Sequence, residues 1–266
     1  MHEAMGFYRP GGGWLHRLNP YPKLLLVLWG VLAPFVLPTA AIPVLIVAYL
    51  VAGMSAGLGA PYLRAAVLAP MAIVLPIVLI NGFFYPGSHD VILAIGPLAL
   101  TREGLTFGLP IAGRVLAAFG ITVAFVTSTR PDDLMETLVQ RGTDPRLAFV
   151  VLSAIQAIPR MLDKAGRILE AQQARGLAAT GSPATRVRAV VPLLGPLIIG
   201  SLIDVRERSL ALEARAFSSG LPRTAYRIVA MREVDRRVAR IAAIALLLLP
   251  VVIVLRVLGV SRVLGG

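Results

Sequence analysis

The chain has 266 residues, 57% of them hydrophobic, and a mean hydropathy of +0.79; soluble domains hold only about 45 to 50% apolar residues, so this is an integral membrane protein. Lys and Arg outnumber Asp and Glu by 26 to 14, but only 6% of residues are aromatic, which argues against nucleic acid as a partner and leaves membrane topology to explain the charge. With no cysteine, disulfides, Cys-ligated metals and thiol catalysis are excluded.

Residues 1–22 are rich in Gly and Pro and lack the apolar core and small-residue cleavage site of a signal peptide. Arg9, Arg17 and Lys23 are charges that hold an N-terminus inside, so residues 1–23 are read as a cytoplasmic segment. Two apolar runs follow, 24–37 and 40–54, with Pro34, Pro38 and Pro43 crowding their junction. Each is short for a hydrocarbon core of ~30 Å, which suggests a hairpin of two short helices, or one broken helix.

Residues 65–85 are free of charge and long enough to span; Pro70 and Pro76 are expected to kink that helix. Asn81 is read as a packing or interhelical hydrogen-bond residue. Residues 85–103 hold Pro86, Gly87, Ser88, Gly96 and Pro97 and read as an external loop with at most a re-entrant or surface turn. His89 beside Asp90 does not make a metal site, because two adjacent ligands are too few. The next span, 107–129, contains Arg114, which is expected to snorkel or to face the bundle. Residues 24–129 thus form four membrane helices.

The stretch 130–240 holds eighteen Lys or Arg and eleven Asp or Glu, a net of +7. By the positive-inside rule it faces the cytoplasm, where four crossings from an internal start also return it. A short helix opens at Pro131, with Thr129 or Asp132 as its cap and Asp132 and Asp133 in its first turn. A second helix, capped by Asp144, runs to Arg175, with Leu147, Val151, Ile158 and Met161 on one face and Arg160, Lys164 and Arg167 on another. Its most apolar stretch, 147–158, is too short to cross. Gly181, Ser182 and Pro183 break the pattern, and a third helix runs from about 184 to 217, bent near Pro192 and Pro196. Asp204 and Arg208 are spaced as an i,i+4 pair on it. A last span, 238–258, and a tail, 259–266, complete a fifth crossing. The fold class is therefore all-α: a polytopic membrane protein of about five transmembrane helices with a cytoplasmic domain, 130–237, of long amphipathic helices.

Both long helices end in like triplets, Ala174-Arg175-Gly176 and Ala214-Arg215-Ala216, with the arginines forty residues apart. A single arginine in a last turn is ordinarily explained by its terminal carbonyls, worth about 0.3 to 1 kcal/mol. A matched pair points to two equivalent partners, or one partner with two like sites.

The paired triplets, Asp144-Pro145-Arg146 and the opening segment Leu15-His16-Arg17-Leu18-Asn19-Pro20 with Lys23-Leu24-Leu25 resemble the T component of energy-coupling factor transporters, the family that includes the cobalt transporter CbiQ. The resemblance covers nearly the whole chain, and departs from the family at Ala216, where glycine is frequent. It implies a plasma-membrane scaffold, without catalysis or cofactor of its own, that couples two ABC ATPase subunits to a separate substrate-binding membrane S component for vitamin or transition-metal uptake. It further implies that Ala174, Arg175, Gly176, Ala214, Arg215 and Ala216 dock the ATPases.

The residues themselves agree that ATP is hydrolysed elsewhere. The chain has two lysines, Lys23 and Lys164, and neither follows a Gly-rich phosphate loop. The alternative, an intramembrane lipid or prenyl transferase, would need clustered acids for magnesium; the adjacent pair, Asp132-Asp133, is explained by helix capping.

Overall fold

The computed structural model describes residues 8, 10–86, 90–95, 98–177, 182–217, 219 and 229–257. Among them, α1 (Trp14–Arg17), α2 (Pro20–Val36), α3 (Ala41–Ser55) and α4 (Gly59–Phe84) lead into a two-stranded antiparallel hairpin, β1 (Val91–Ile95) and β2 (Leu98–Thr101). Then come α5 (Arg102–Ser128), α6 (Pro131–Val139), α7 (Pro145–Ala174), α8 (Pro183–Ala214) and α9 (Glu233–Val257). The protein is an all-α polytopic membrane protein, and the hairpin is its departure from that class. It falls in the stretch expected to be loop: the Gly and Pro signals there hid a short β-branched and apolar run, Val91-Ile92-Leu93, long enough to pair with 98–101.

The first two apolar runs are separate helices. At 1.5 Å per residue, α2 and α3 span about 25 and 23 Å, short of a full hydrocarbon core. Among the described residues, five helices are long and apolar enough to cross: α4, α5, α7, α8 and α9. The number agrees with expectation but the membership differs, because length and composition admit α7 and α8 and leave out α2 and α3.

The chain divides into two compact units, Met1–Arg141 with Val229–Gly266, and Gly142–Ile228. The second is narrower than the basic block 130–237, since α6 and the residues leading into α9 belong with the membrane helices.

Packing in the first unit rests on small residues. The buried face of α5 is Gly104, Gly108, Ala112, Ala117, Gly120, Ala124 and Ser128, spaced three to five apart so that neighbouring helices approach its backbone. A Cβ at Gly104 would run into the Asn81 carbonyl of α4, and one at Gly108 would lie 3.0 Å from the Asn81 Cβ. Asn81 is thus a packing residue, its side-chain amide turned back to donate to the Ile77 carbonyl at 2.8 Å.

Two tyrosines then stitch the helices together. The Tyr62 hydroxyl lies 2.9 Å from the Tyr49 carbonyl and 3.3 Å from that of Gly120, and the Tyr49 hydroxyl donates to the Gly30 carbonyl at 3.3 Å. This chain of bonds runs through α2, α3, α4 and α5 and satisfies each phenol away from water. Arg114 faces the bundle. Its Nε donates to the Pro34 carbonyl at 3.1 Å, an acceptor with no helical partner because Pro38, four residues on, has no N–H.

Candidate docking tips of the two long helices

Local sequence builds α7 and α8 alike. Asp144 caps α7, its carboxylate accepting from the Arg146 N–H at 2.8 Å, and Pro145 takes the first turn. Ser182 caps α8 by accepting from the Thr185 N–H at 3.3 Å, with Pro183 first in the helix. The helices run 30 and 32 residues, through Pro159 in one and through Pro192 and Pro196 in the other. For the shorter α6 neither expected cap is used. The N-cap is Arg130, without a side-chain bond, and the Thr129 hydroxyl is buried with no partner. Pro131 fixes the first turn instead.

The two C-termini are congruent. Arg175 and Arg215 are the C-caps, with φ and ψ of −90° and 9° in one, −90° and 12° in the other. After each the backbone turns left-handed, at Gly176 with φ +92° and at Ala216 with φ +55°. The N–H of Gly176 donates to the Gln173 carbonyl and that of Leu177 to Gln172; the N–H of Ala216 donates to Glu213 and that of Phe217 to Leu212, all at 2.9 to 3.0 Å. Each end is therefore a complete Schellman motif. Exposure follows the same sequence in both, so that all six predicted site residues, Ala174, Arg175, Gly176, Ala214, Arg215 and Ala216, stand exposed while Leu177 and Phe217 are partly buried.

Backbone N–H groups thus do the work that a lone arginine at a helix end would be assigned, satisfying two of the last carbonyls at each tip. Among the described residues neither guanidinium is held by a hydrogen bond or ion pair, which leaves both planar forks to face outward.

The helices pair antiparallel. Phe149 packs on Phe217 with ring centroids 5.1 Å apart, and Lys164 Nζ meets Asp204 Oδ2 at 2.8 Å. Gly200 makes room at that level, since a Cβ there would lie 2.6 Å from Lys164 Nζ. Asp204 was expected to pair along α8 with Arg208; it reaches across to α7 instead, because Lys164 is brought closer by the packing. The structure therefore does not bring the triplets together. In that register Arg215 lies level with the first turns of α7, roughly 35 Å along the axis from Arg175.

The apolar face read for α7 is left uncovered: Leu147 is 61% exposed and Ile158 62%. In α8 the division runs along the axis rather than around it, uncharged from Ala189 through Ile203 and charged from Asp204 to Arg215.

Sequence reasoning read the opening segment as a cytoplasmic lead held inside by its charges and assigned Asn19 no role of its own. Asn19 is buried and caps α2, its Oδ1 accepting from the Tyr21 N–H at 3.0 Å, while its own N–H donates to Asp235 Oδ1 at 3.1 Å. Asp235 Oδ2 accepts the Arg232 N–H at 2.8 Å and so caps α9. Lys23, buried, donates to the Ser128 carbonyl at 3.0 Å. No group of three or more His, Asp or Glu able to hold a metal occurs among the described residues; His89 lies outside them. Asp132 and Asp133 occupy the first turn of α6, where acids suit the helix dipole.

Residues 11–226 match the cobalt transport protein family, CbiQ. The chain belongs to this family. It is 29% identical over 244 residues to the energy-coupling factor transporter transmembrane protein EcfT of Listeria innocua, covering 87% of this chain and 91% of that one. It is 32% identical over 244 residues to the EcfT of Limosilactobacillus fermentum, covering 86% and 90%. A Bifidobacterium longum protein named as an ABC transporter ATP-binding protein is 29% identical over 235 residues, 85% of this chain but 30% of that longer one. This CbiQ-family chain is a multi-pass transmembrane component of a transporter of the energy-coupling factor type.

Proposed function

We propose that the chain is the coupling scaffold of an energy-coupling factor importer, with two ABC ATPase subunits docking on the tips at Arg175 and Arg215 and a separate substrate-binding membrane protein held against it. The observation that carries this is the congruence of the two tips: the same cap dihedrals, the same Schellman bonds and the same exposure. Two equal sites roughly 35 Å apart suit two like subunits better than two contacts of one small partner. Each guanidinium is free to make a bidentate pair with a carboxylate in an ATPase groove. The Bifidobacterium longum relative supports the partnership, since a segment like this chain lies within a protein named for ATP binding.

Charge placement sets α7 and α8 at the membrane surface although their length would allow a crossing. The middle of α7 holds Arg160, Asp163, Lys164 and Arg167, and each charge at a bilayer centre would cost about 2.5 to 3.5 kcal/mol. In α8 the uncharged stretch between Arg188 and Asp204 is 15 residues, or about 22 Å, too short for the hydrocarbon core. The positive-inside rule then puts both, and the N-terminus, in the cytoplasm. Closure of the ATPases on ATP moves the tips and rocks α7 against α8, and the substrate-binding subunit is reoriented toward the cytoplasm with its vitamin or transition-metal cargo. The chain itself is non-catalytic in this scheme.

The test is co-purification of ABC ATPases with wild type, Arg175→Ala, Arg215→Ala and the double variant, with ATPase activity assayed in the same samples. The double variant is expected to remain in the membrane and to lose the ATPases or their coupling. Retention of both at wild-type levels would reduce the arginines to ordinary helix ends, and turnover of a lipid or prenyl substrate by the purified chain alone would favour a transferase.

A further inference from the structure

The chain passes between its two units twice, at 141–142 and at 228–229. Both passages are held by the first turn of α2. On the outgoing side the Arg141 guanidinium carbon sits 3.3 Å from the centroid of the Tyr21 ring, and its Nη2 donates to Met231 Sδ at 3.1 Å. On the returning side Asn19 Nδ2 donates to the Val229 carbonyl at 3.5 Å, and the Asn19 N–H binds the Asp235 carboxylate that caps α9. Arg141 therefore touches α2 and the returning strand at once. The segment leading to it is fastened at its other end as well, where Lys23 holds the carbonyl of Ser128, the last residue of α5.

Immediately outside this junction lies Gly142, at φ +99° with nothing within 4 Å of a Cβ position. A left-handed glycine in open space next to a pinned arginine is a pivot beside an anchor. These two strands are the covalent connections of the α7–α8 unit to the membrane helices, so displacement of that unit acts on them.

We infer that the Tyr21–Arg141 junction delivers the motion of the α7–α8 unit to the membrane helices, Tyr21 and Arg141 serving as positioning residues for coupling. This rests on the scaffold reading above. The aromatic face is the recognition element, since Arg141 stacks over the ring rather than bonding to the phenol. Its failure and that of the docking reading are separable, because one concerns whether ATPases bind and the other whether bound ATPases move the membrane helices.

The absence of native cysteine allows clean spin labelling at Met54→Cys on α3 and Leu248→Cys on α9, both exposed. The label-to-label distance is read by double electron–electron resonance in the complex reconstituted with its ABC ATPases, without nucleotide and trapped with ATP, with ATPase retention and hydrolysis measured alongside. The background chain and Tyr21→Phe, which keeps the ring, are expected to show an ATP-dependent shift. Tyr21→Leu and Arg141→Met are expected to hold and turn over the ATPases normally, yet to populate the shifted distance about tenfold less. The double variant should be no worse than either single one, since both remove the same contact. Arg141→Met keeps the aliphatic stem at an exposed site, so loss of folding does not confound it. A full shift in both Tyr21→Leu and Arg141→Met, or no ATP-dependent shift in the background chain with ATPases bound, would overturn the inference. ATPases that fail to bind the background chain would instead count against docking at Arg175 and Arg215.

Discussion

Ala216 is the one non-glycine residue at positive φ among the described residues, and replacing it with glycine is expected to tighten the α8 tip. An L-residue in the left-handed region costs about 1 to 2 kcal/mol, and Ala216→Gly removes that cost. Against it stands the greater freedom of glycine in the open chain, about 0.4 to 1 kcal/mol. The methyl group is exposed, so its loss removes little packing. The net is a gain of about 0.5 to 1 kcal/mol, or roughly two- to fivefold in the equilibrium for opening the cap. Amide hydrogen exchange reads this directly at Phe217, whose N–H closes the motif on the Leu212 carbonyl at 3.0 Å. Protection there should rise two- to fivefold, while the Leu177 amide, closing the α7 tip on Gln172 at 3.0 Å, serves as an unchanged internal control. Protection of Phe217 that stays level or falls would refute the argument, and with it the claim that Ala216 is strained. Gly176→Ala, the reciprocal change, should lower protection at Leu177.

Two further substitutions probe the membrane unit. Gly104→Val places side-chain carbons where the Asn81 carbonyl already stands; overpacking of this kind costs about 1 to 3 kcal/mol or more, visible as a lower melting temperature and a smaller monodisperse fraction in detergent. Arg114→Met leaves the Pro34 carbonyl without its donor, a loss of about 1 to 3 kcal/mol, to be measured as a drop in thermal stability, with Arg114→Lys recovering part of it.

Much of the local architecture was legible because its causes are local. Asp144 caps a helix through a bond two residues away, Pro131 and Pro145 preset first turns, and Gly176 ends α7, all within reach of a single turn of chain. The match between the tips was legible as a forty-residue repeat of residue types, while their equivalence in space needed the dihedrals and cap bonds. Thr129 misled because its side chain suits a cap, whereas the helix begins one residue later than that role requires. The hairpin was missed because Gly and Pro signal a turn without saying whether the flanks pair.

By itself the sequence determined that this is a membrane protein, where α6 and α7 begin and where α7 ends, and that two like tips exist, since hydropathy, capping and turn preference act over a few residues. Only the tertiary structure decided which groups meet across long separations: Asn19 with Asp235 over 216 residues, Tyr62 with Gly120 over 58, Lys164 with Asp204 over 40. Those partners are chosen by helix packing, and helix packing is set by small residues such as Gly53, Gly104 and Gly200, whose contribution is the space they leave. An empty space carries no charge or hydropathy signal along the chain, so these contacts become visible only when the helices are placed side by side.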